Sequence, residues 1–445
     1  MKLDIKPFIG QHCESTATGT LLNQLGIELS EPMLFGLGEG LGFVLWNMKT
    51  MNMPFIGGRI KPDLLTQNIA KNLGLKLEVK ETSSKDKAWK SVKGLLDRGK
   101  AVGLKLDCYH LEYFTNPIHF AGHYVAIIGY DDKDAFLVDT AQQGGEVITS
   151  LKSLEQARSE KGSMSSKNLF YTIEKGKELI PLKEAIMKAI HSNAVTYLNP
   201  AIKNLAYKGI YKTSDEILKW FNNSKSIEED FKMTAMLMER AGTGGAIFRN
   251  LYRDFLEEAY TITNNYNIKT AYLDFIEIAK NWETIIAIFK KISDTKDRYY
   301  ILEASEMMKK ADDYHVSVLL TLAVVMGGFL IAKASHVSSP LAMVIAGLFI
   351  GNVGKKANSE ENKDYLERFW AIVDEIMNAI LFLFIGFEML LIKNLDGQFL
   401  LGGIAIIVCL LARGLSIYIP AKTILRKVTT YSRGSLITMV WGGIR

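Results

Sequence analysis

The sequence predicts an α+β domain followed by an all-α helical domain and an incomplete bundle of transmembrane helices, on three observations. Short β-type runs mix with helix-like spacing up to about residue 175. Apolar residues then recur every three to four positions, with charge between them, up to about residue 313. After about residue 315 come apolar runs that suit a bilayer, because a helix needs about 20 mostly apolar residues to cross the hydrocarbon. The expected domains are residues 1–175, 176–313 and 314–445, matching the roughly three domains usual for this length.

In the first region HCESTATGTLLNQLGI has helix-like spacing after a polar start. AVGLKLD, HYVAIIGYDD and DAFLVDT are short β-type runs separated by turn chemistry. From about residue 181 the strand signals vanish. SIEEDFKMTAMLMERA, FRNLYRDFLEEAYTI and TAYLDFIEIAKNWETIIAIFKKI read as amphipathic helices. The tail then offers spanning segments at 317–334, 340–353, 369–392 and 398–420, with a further one from 436 that is expected to stop before it could span. Lys355 and Lys356 fall in one connecting loop, and Lys422, Arg426, Lys427 and Arg433 in another. Counting crossings puts both loops, and everything before residue 317, on one side. The positive-inside rule makes that side the cytoplasm, so the expectation is a membrane-associated chain, held through residues 317–445, with its amino-terminal domains cytoplasmic.

A formal net charge of +5 without clustered Lys and Arg argues against a nucleic-acid partner. Cys13, Cys108 and Cys409 lie far apart with no CxxC spacing, which points to a reducing compartment. The start, MKLDIKPFIGQHCES, has no apolar core for a secretory signal. No cofactor or metal is expected. His110 and His119 flank a loop rich in Tyr, Phe and Pro with no third ligand at metal spacing, and read as solvated loop residues. Gly242, Thr243, Gly244 and Gly245 lack the preceding strand and the following Lys and Ser or Thr of a phosphate loop, so close helix packing or a break beside a thiol cleft is expected there.

Cys13, His123 and Asp139 are the expected catalytic residues. Cys13 lies at the start of a helix, where unpaired backbone NH groups and the macrodipole favour an anion, which marks its sulfur as a nucleophile. His123 opens one strand and Asp139 follows the next. A base and its orienter on neighbouring strands hold an imidazole in one tautomer beside a thiolate. The plainer alternative is a buried filler cysteine and a turn aspartate. The backbone NH of Cys13 is the expected oxyanion donor, with Gln11 as a second. His12 is read as packing or a substrate contact, and Glu14 as favourable against the helix dipole.

QHCESTATGTLLNQLGIELSEPMLFGLGEGLGF, with AGHYVAIIGYDD and AFLVDTA, resembles the amino-terminal domain of the butirosin biosynthesis protein H family, whose fold is papain-like. GTGGAIFRNLYRDFLEEA is similar to the helical domain that follows it in that family. The resemblance implies acyl transfer in antibiotic biosynthesis, from a carrier-protein thioester to an amine of a small acceptor. Carried over by position, Cys13 would accept the acyl group, His123 would move protons and Asp139 would orient the ring. The interval of sixteen residues from His123 to Asp139 is similar to that of papain-like peptidases that cut leader peptides, so a cysteine peptidase or amidase is the alternative enzyme.

HVSSPLAMVIAGLFIGN, ILFLFIGFEMLL, LLARGLSIYIP and ITMVWGGIR resemble later helices of sodium/proton antiporters of the cation/proton antiporter family. A component of sodium/proton antiport is therefore a further expectation. Glu388 and Arg413 are its leading charged candidates, since an ionisable group in an apolar helix is costly and usually pairs or serves an ion path. Asp374 and Glu375 read as interfacial. The acidic pair that binds the ion in that family lies on an earlier helix for which this sequence has a soluble protein instead. The expectation is a fusion with a partial antiporter-like tail that does not transport by itself.

Overall fold

The computed structural model describes residues 1–47, 53–115, 119–161, 165–240, 246–338, 341, 342, 344, 345, 347, 381–384 and 399–423. It divides into two units, Met1–Gly354 and Lys355–Arg445.

The first unit opens with α1 (Cys13–Gln24) and α2 (Glu31–Leu37), followed by the antiparallel pair β1 (Leu41–Trp46) and β2 (Phe55–Arg59). Next come α3 (Leu64–Leu73), β3 (Leu75–Lys80), α4 (Lys85–Leu96), β4 (Val102–Leu106), β5 (His123–Tyr130), β6 (Asp134–Val138), β7 (Glu146–Ser150), α5 (Leu151–Ser159) and β8 (Phe170–Lys175). Six strands form one antiparallel sheet in the order β3-β8-β4-β5-β6-β7. The three runs expected as strands are β4, β5 and β6. β5 is buried on both faces, which explains its unbroken apolar run. Tyr124, Ala126 and Ile128 join the core shared with α1, while Val125 and Ile127 join the core under α4 and α5, as a period of two requires.

The helical region comprises α6 (Leu182–Leu198), α7 (Ala206–Asn223), α8 (Ile227–Arg240), α9 (Ala246–Thr263), α10 (Tyr266–Thr295) and α11 (Tyr299–Ala334). Its apolar faces continue the core that lines α1, through Phe248, Phe255, Trp282 and Phe289. Arg249 of α9 is fully buried. It donates to the carbonyls of Gly58 (3.2 Å) and Gly42 (3.4 Å), with its guanidinium 4.2 Å from the Trp282 ring centroid. The helices are thereby fastened to the β1–β2 pair.

α2 and α9 meet at Gly36, where an added Cβ would lie 2.1 to 2.3 Å from ring atoms of Phe255. Phe255 is itself fully buried and has no room to retreat. Gly36→Ala is expected to destabilise the chain by about 1–3 kcal/mol through overpacking, read as a lower urea midpoint. An unchanged midpoint would mean that the helices separate easily.

Two expectations for the tail are corrected. Residues 317–334 are the second half of α11, which runs without a break from Tyr299. Leu319, Val325, Met326 and Ala332 are buried, Lys333 pairs with Glu184 at 3.0 Å, and the His191 Nδ1 lies 3.1 Å from the Ala323 carbonyl oxygen. What reads as a lipid-facing run is in part a stripe packed on α6, α7 and α10. In the second unit the described residues contain α12 (Phe399–Thr423) and a helical piece at 381–384. Among the described residues no helix is long and apolar enough to cross a membrane. α12, expected as the span 398–420, carries Arg413 mid-helix, where a charge works against insertion. The segments expected at 340–353, 369–392 and from 436 fall wholly or mostly outside the described residues, as do Gly242 to Gly245.

Candidate active site

Cys13 is the first residue of α1 and is half-buried rather than sealed in the core. The turn before it is held by one carboxylate. Glu31, at the start of α2, accepts from the backbone NH of Gln11 (2.8 Å), the backbone NH of His12 (2.8 Å) and Ser15 Oγ (2.8 Å). A carboxylate here is favoured by the unpaired amides and the positive end of the helix dipole. The arrangement uses up the amides of residues 11 and 12. The Cys13 backbone NH has no hydrogen-bond partner among the described residues, and remains the backbone donor for an oxyanion. The residue Gln11 is exposed.

Glu14 departs from its expected role. It is fully buried, so the dipole alone could not offset its lost hydration. Arg59 Nη1 reaches it at 3.0 Å, and the backbone NH and hydroxyl of Thr66 each donate at 3.2 Å. Burial still pushes its carboxyl up, against the pull of Arg59 and Thr66.

His123 and Asp139 meet as expected. β5 and β6 are adjacent antiparallel strands, which puts His123 Nε2 2.8 Å from Asp139 Oδ2. The backbone NH of Thr140 donates to Asp139 Oδ1 at 2.6 Å. Burial alone would drive the imidazole down, yet the Asp139 charge, followed by electrostatic contributions from Cys108 and Cys13 and by the Asp139 hydrogen bond, outweighs it and raises its pKa well above the usual histidine value. Burial likewise works to raise Asp139, but the His123 charge and the hydrogen bonds from His123, Thr140 and Tyr113 hold it below the ordinary carboxylate value. With Nε2 committed to Asp139, Nδ1 is the ring nitrogen left to serve the thiol. α1 packs against β5 and brings Cys13 within electrostatic reach of the His123 ring, although no hydrogen bond joins sulfur to ring among the described residues. Catalytic contacts of this kind commonly tighten only when substrate binds.

Sequence reasoning missed Tyr113. Its hydroxyl donates to Asp139 Oδ2 at 2.8 Å, the same oxygen that takes His123. Burial first, and then the Asp139 charge, raises its pKa well above the ordinary tyrosine value, so it stays a donor. Phe114 packs edge-on to His123 with ring centroids 5.5 Å apart. The aromatic residues Tyr109, Tyr113 and Phe114 were the available signal, but nothing local says that Tyr113 reaches the residue after β6. Tyr113→Phe is expected to lower kcat/KM about tenfold, the size of one hydrogen bond to a charged group, with a shifted acid limb of the pH profile. An unshifted limb would leave Tyr113 as packing alone.

The remaining candidates lie elsewhere. His110 is largely covered and pairs with Glu160 at 2.7 Å, while His119 pairs with Asp107 at 3.2 Å, so the two rings serve different carboxylates. The partner of His110 corrects its reading as a solvated residue. Arg413 sits on α12, far along the chain from the thiol site. Glu388, Asp374 and Glu375 lie outside the described residues.

Comparison with known proteins matches three families along the chain. Residues 12–140 match the family described as Butirosin biosynthesis protein H, N-terminal. Residues 152–317 match a Domain of unknown function (DUF4872), and residues 299–445 match Sodium/hydrogen exchanger, transmembrane. The last two matches overlap over residues 299–317, the first half of α11. The chain is 43% identical over 148 residues to the Na(+)/H(+) antiporter NhaP of Pseudomonas aeruginosa, covering 31% of this chain and 34% of that protein. It is 33% identical over 146 residues to NhaH of Halobacillus aidingensis (32% and 34%), and 30% identical over 142 residues to NhaG of Bacillus atrophaeus (32% and 26%). The chain thus spans about a third or less of the curated relatives it matches.

Proposed function

We propose that the amino-terminal part of this chain, residues 1 to about 313, transfers an acyl group from a carrier-protein thioester to an amine through an acyl-enzyme on Cys13. The observation that carries the reading is the buried His123–Asp139 pair beside the helix that begins at Cys13, within residues 12–140. Cys13 sulfur attacks the thioester carbonyl carbon, the carbon–sulfur bond to the carrier breaks, and the departing carrier thiolate takes a proton from His123. The amine then attacks the Cys13 thioester and gives a proton to His123. An amide and the starting thiolate result. Asp139 holds the imidazole oriented through both steps and stabilises its charged form.

Intact-mass measurement of the full chain after exposure to an acyl carrier thioester tests this. A single added acyl group on Cys13, discharged faster by amine than by water, is expected. Discharge to water at an undiminished rate in the presence of amine would favour amide or thioester hydrolysis instead.

The tail supports a second reading because of its 43% identity to an antiporter. We propose that the exchanger-like region beyond α11 associates with the membrane as a partial region, with the thiol domain on the cytoplasmic side, and does not transport by itself. The full chain is expected to stay in the membrane pellet after alkaline carbonate extraction. Sodium-dependent proton flux in vesicles that disappears in Arg413→Ala or Glu388→Gln chains would replace this reading with antiport.

A further inference from the structure

We propose that the side-chain Nε2–H of His12 is the second donor to the oxyanion formed when Cys13 attacks an acyl carbon, a role that rests on the acyl-enzyme reading above. Cys13 supplies one backbone NH, and one donor leaves a tetrahedral oxyanion underserved. The adjacent amides of Gln11 and His12 are committed to Glu31. With those two amides taken, a side chain is the local alternative.

His12 is the N-cap of α1, and its ring folds back over the first turn. Its Nδ1 accepts from the Ser15 backbone NH at 3.4 Å. The Ser15 hydroxyl proton is drawn instead to the His12 carbonyl (2.9 Å) and Glu31 (2.8 Å). With Nδ1 as acceptor, the ring proton sits on Nε2. Burial first, then the charges of Arg59 and His123, lowers the His12 pKa well below the usual value, so the ring is a neutral donor.

That Nε2 is buried with no hydrogen-bond partner among the described residues, on a residue only 4% exposed. An orphaned buried donor costs free energy and is retained only where the surroundings over-determine it, and such groups gather at functional sites. Two features hold the ring there: the Ser15 hydrogen bond and the edge-on Phe248 ring of α9, with centroids 5.5 Å apart. His12 directly precedes Cys13 in the chain and lies within electrostatic reach of His123. The helical region would then contribute to catalysis through Phe248, which fixes the donor's aim without touching substrate.

Two reactions of the same sulfur separate this role from a structural one. Acylation of the full chain by S-acetyl-N-acetylcysteamine passes through an oxyanion, whereas alkylation by iodoacetamide displaces iodide at a saturated carbon and forms none. His12→Asn keeps a good helix cap but is too short to present the donor. It is expected to slow acylation of Cys13 about 100-fold while leaving its alkylation rate nearly unchanged. His12→Gln, which retains a longer side-chain N–H, is expected to recover much of the loss. Equal slowing of both reactions in His12→Asn, no slowing of either, or a larger acylation loss in Gln11→Ala than in His12→Asn would each overturn the proposal. If the unsubstituted chain takes no acyl group on Cys13, the acyl-enzyme reading itself fails and the role of His12 with it.

Discussion

Cys13→Ala is expected to abolish acyl labelling of the full chain, a loss approaching the order of 10⁶ in rate that follows removal of a nucleophile. The expectation is this strong because no neighbouring group can take over. Cys108 is buried, with its Sγ 3.6 Å from the Phe120 carbonyl oxygen, and Cys409 lies on α12. Cys108 is the more searching control, since it lies within electrostatic reach of His123. Peptide mapping of the label decides between them. Label that persists in Cys13→Ala and disappears in Cys108→Ala would move the nucleophile to Cys108 and defeat the reading.

The second large effect is expected from Asp139→Asn. One carboxylate oxygen accepts from both His123 Nε2 and the Tyr113 hydroxyl, and the other accepts from the Thr140 backbone NH. An amide has a single acceptor oxygen, so whichever way it is turned, its NH₂ faces a donor. The ring then loses both its orienter and the charge that favours its protonated form. Acylation is expected to fall on the order of 10³- to 10⁴-fold, measured as the single-turnover rate of Cys13 acylation. A loss of less than tenfold would reduce Asp139 to a turn residue.

Stability should respond as well. The raised His123 pKa contributes stability that is complete below about pH 6.5 and is lost as pH rises through the folded value. The depressed Asp139 pKa contributes stability that is complete above about pH 3.8 and is lost as pH falls through the folded value. Between those limits both contributions are whole. Urea midpoints measured across pH should therefore decline on the alkaline side for the parent chain and decline less for Asp139→Asn.

Much of the site was legible because its residues follow rules of short range. Cys13 opens a helix after a polar turn, and His123 and Asp139 bracket two strands joined by the turn at Asp131 to Asp134, where backbone amides bond the Asp131 carboxylate. Adjacent antiparallel strands bring their flanking residues together whatever surrounds them. Tyr113, Glu31 and Arg59 were illegible for the opposite reason. Each reaches its partner across a separation set by packing: Tyr113 to Asp139 from another loop, Glu31 to Gln11 and His12 from the next helix, and Arg59 to Glu14 from β2.

The apolar stretch after residue 315 shows the boundary between the two kinds of knowledge. From the sequence alone came the order of an α+β region, a helical region and an apolar tail, together with the Cys, His and Asp that the first region carries, because periodicity and turn chemistry are properties of neighbours along the chain. Only the tertiary structure decided that residues 317–334 prolong α11 and bury Leu319, Val325 and Met326 against the helical core. It alone decided that Glu14 is sealed against Arg59 and that His12 holds a buried donor with no acceptor among the described residues. An apolar run is equally at home against lipid or against another helix. The partner surface that settles the matter is supplied by α6, α7 and α10, earlier in the chain.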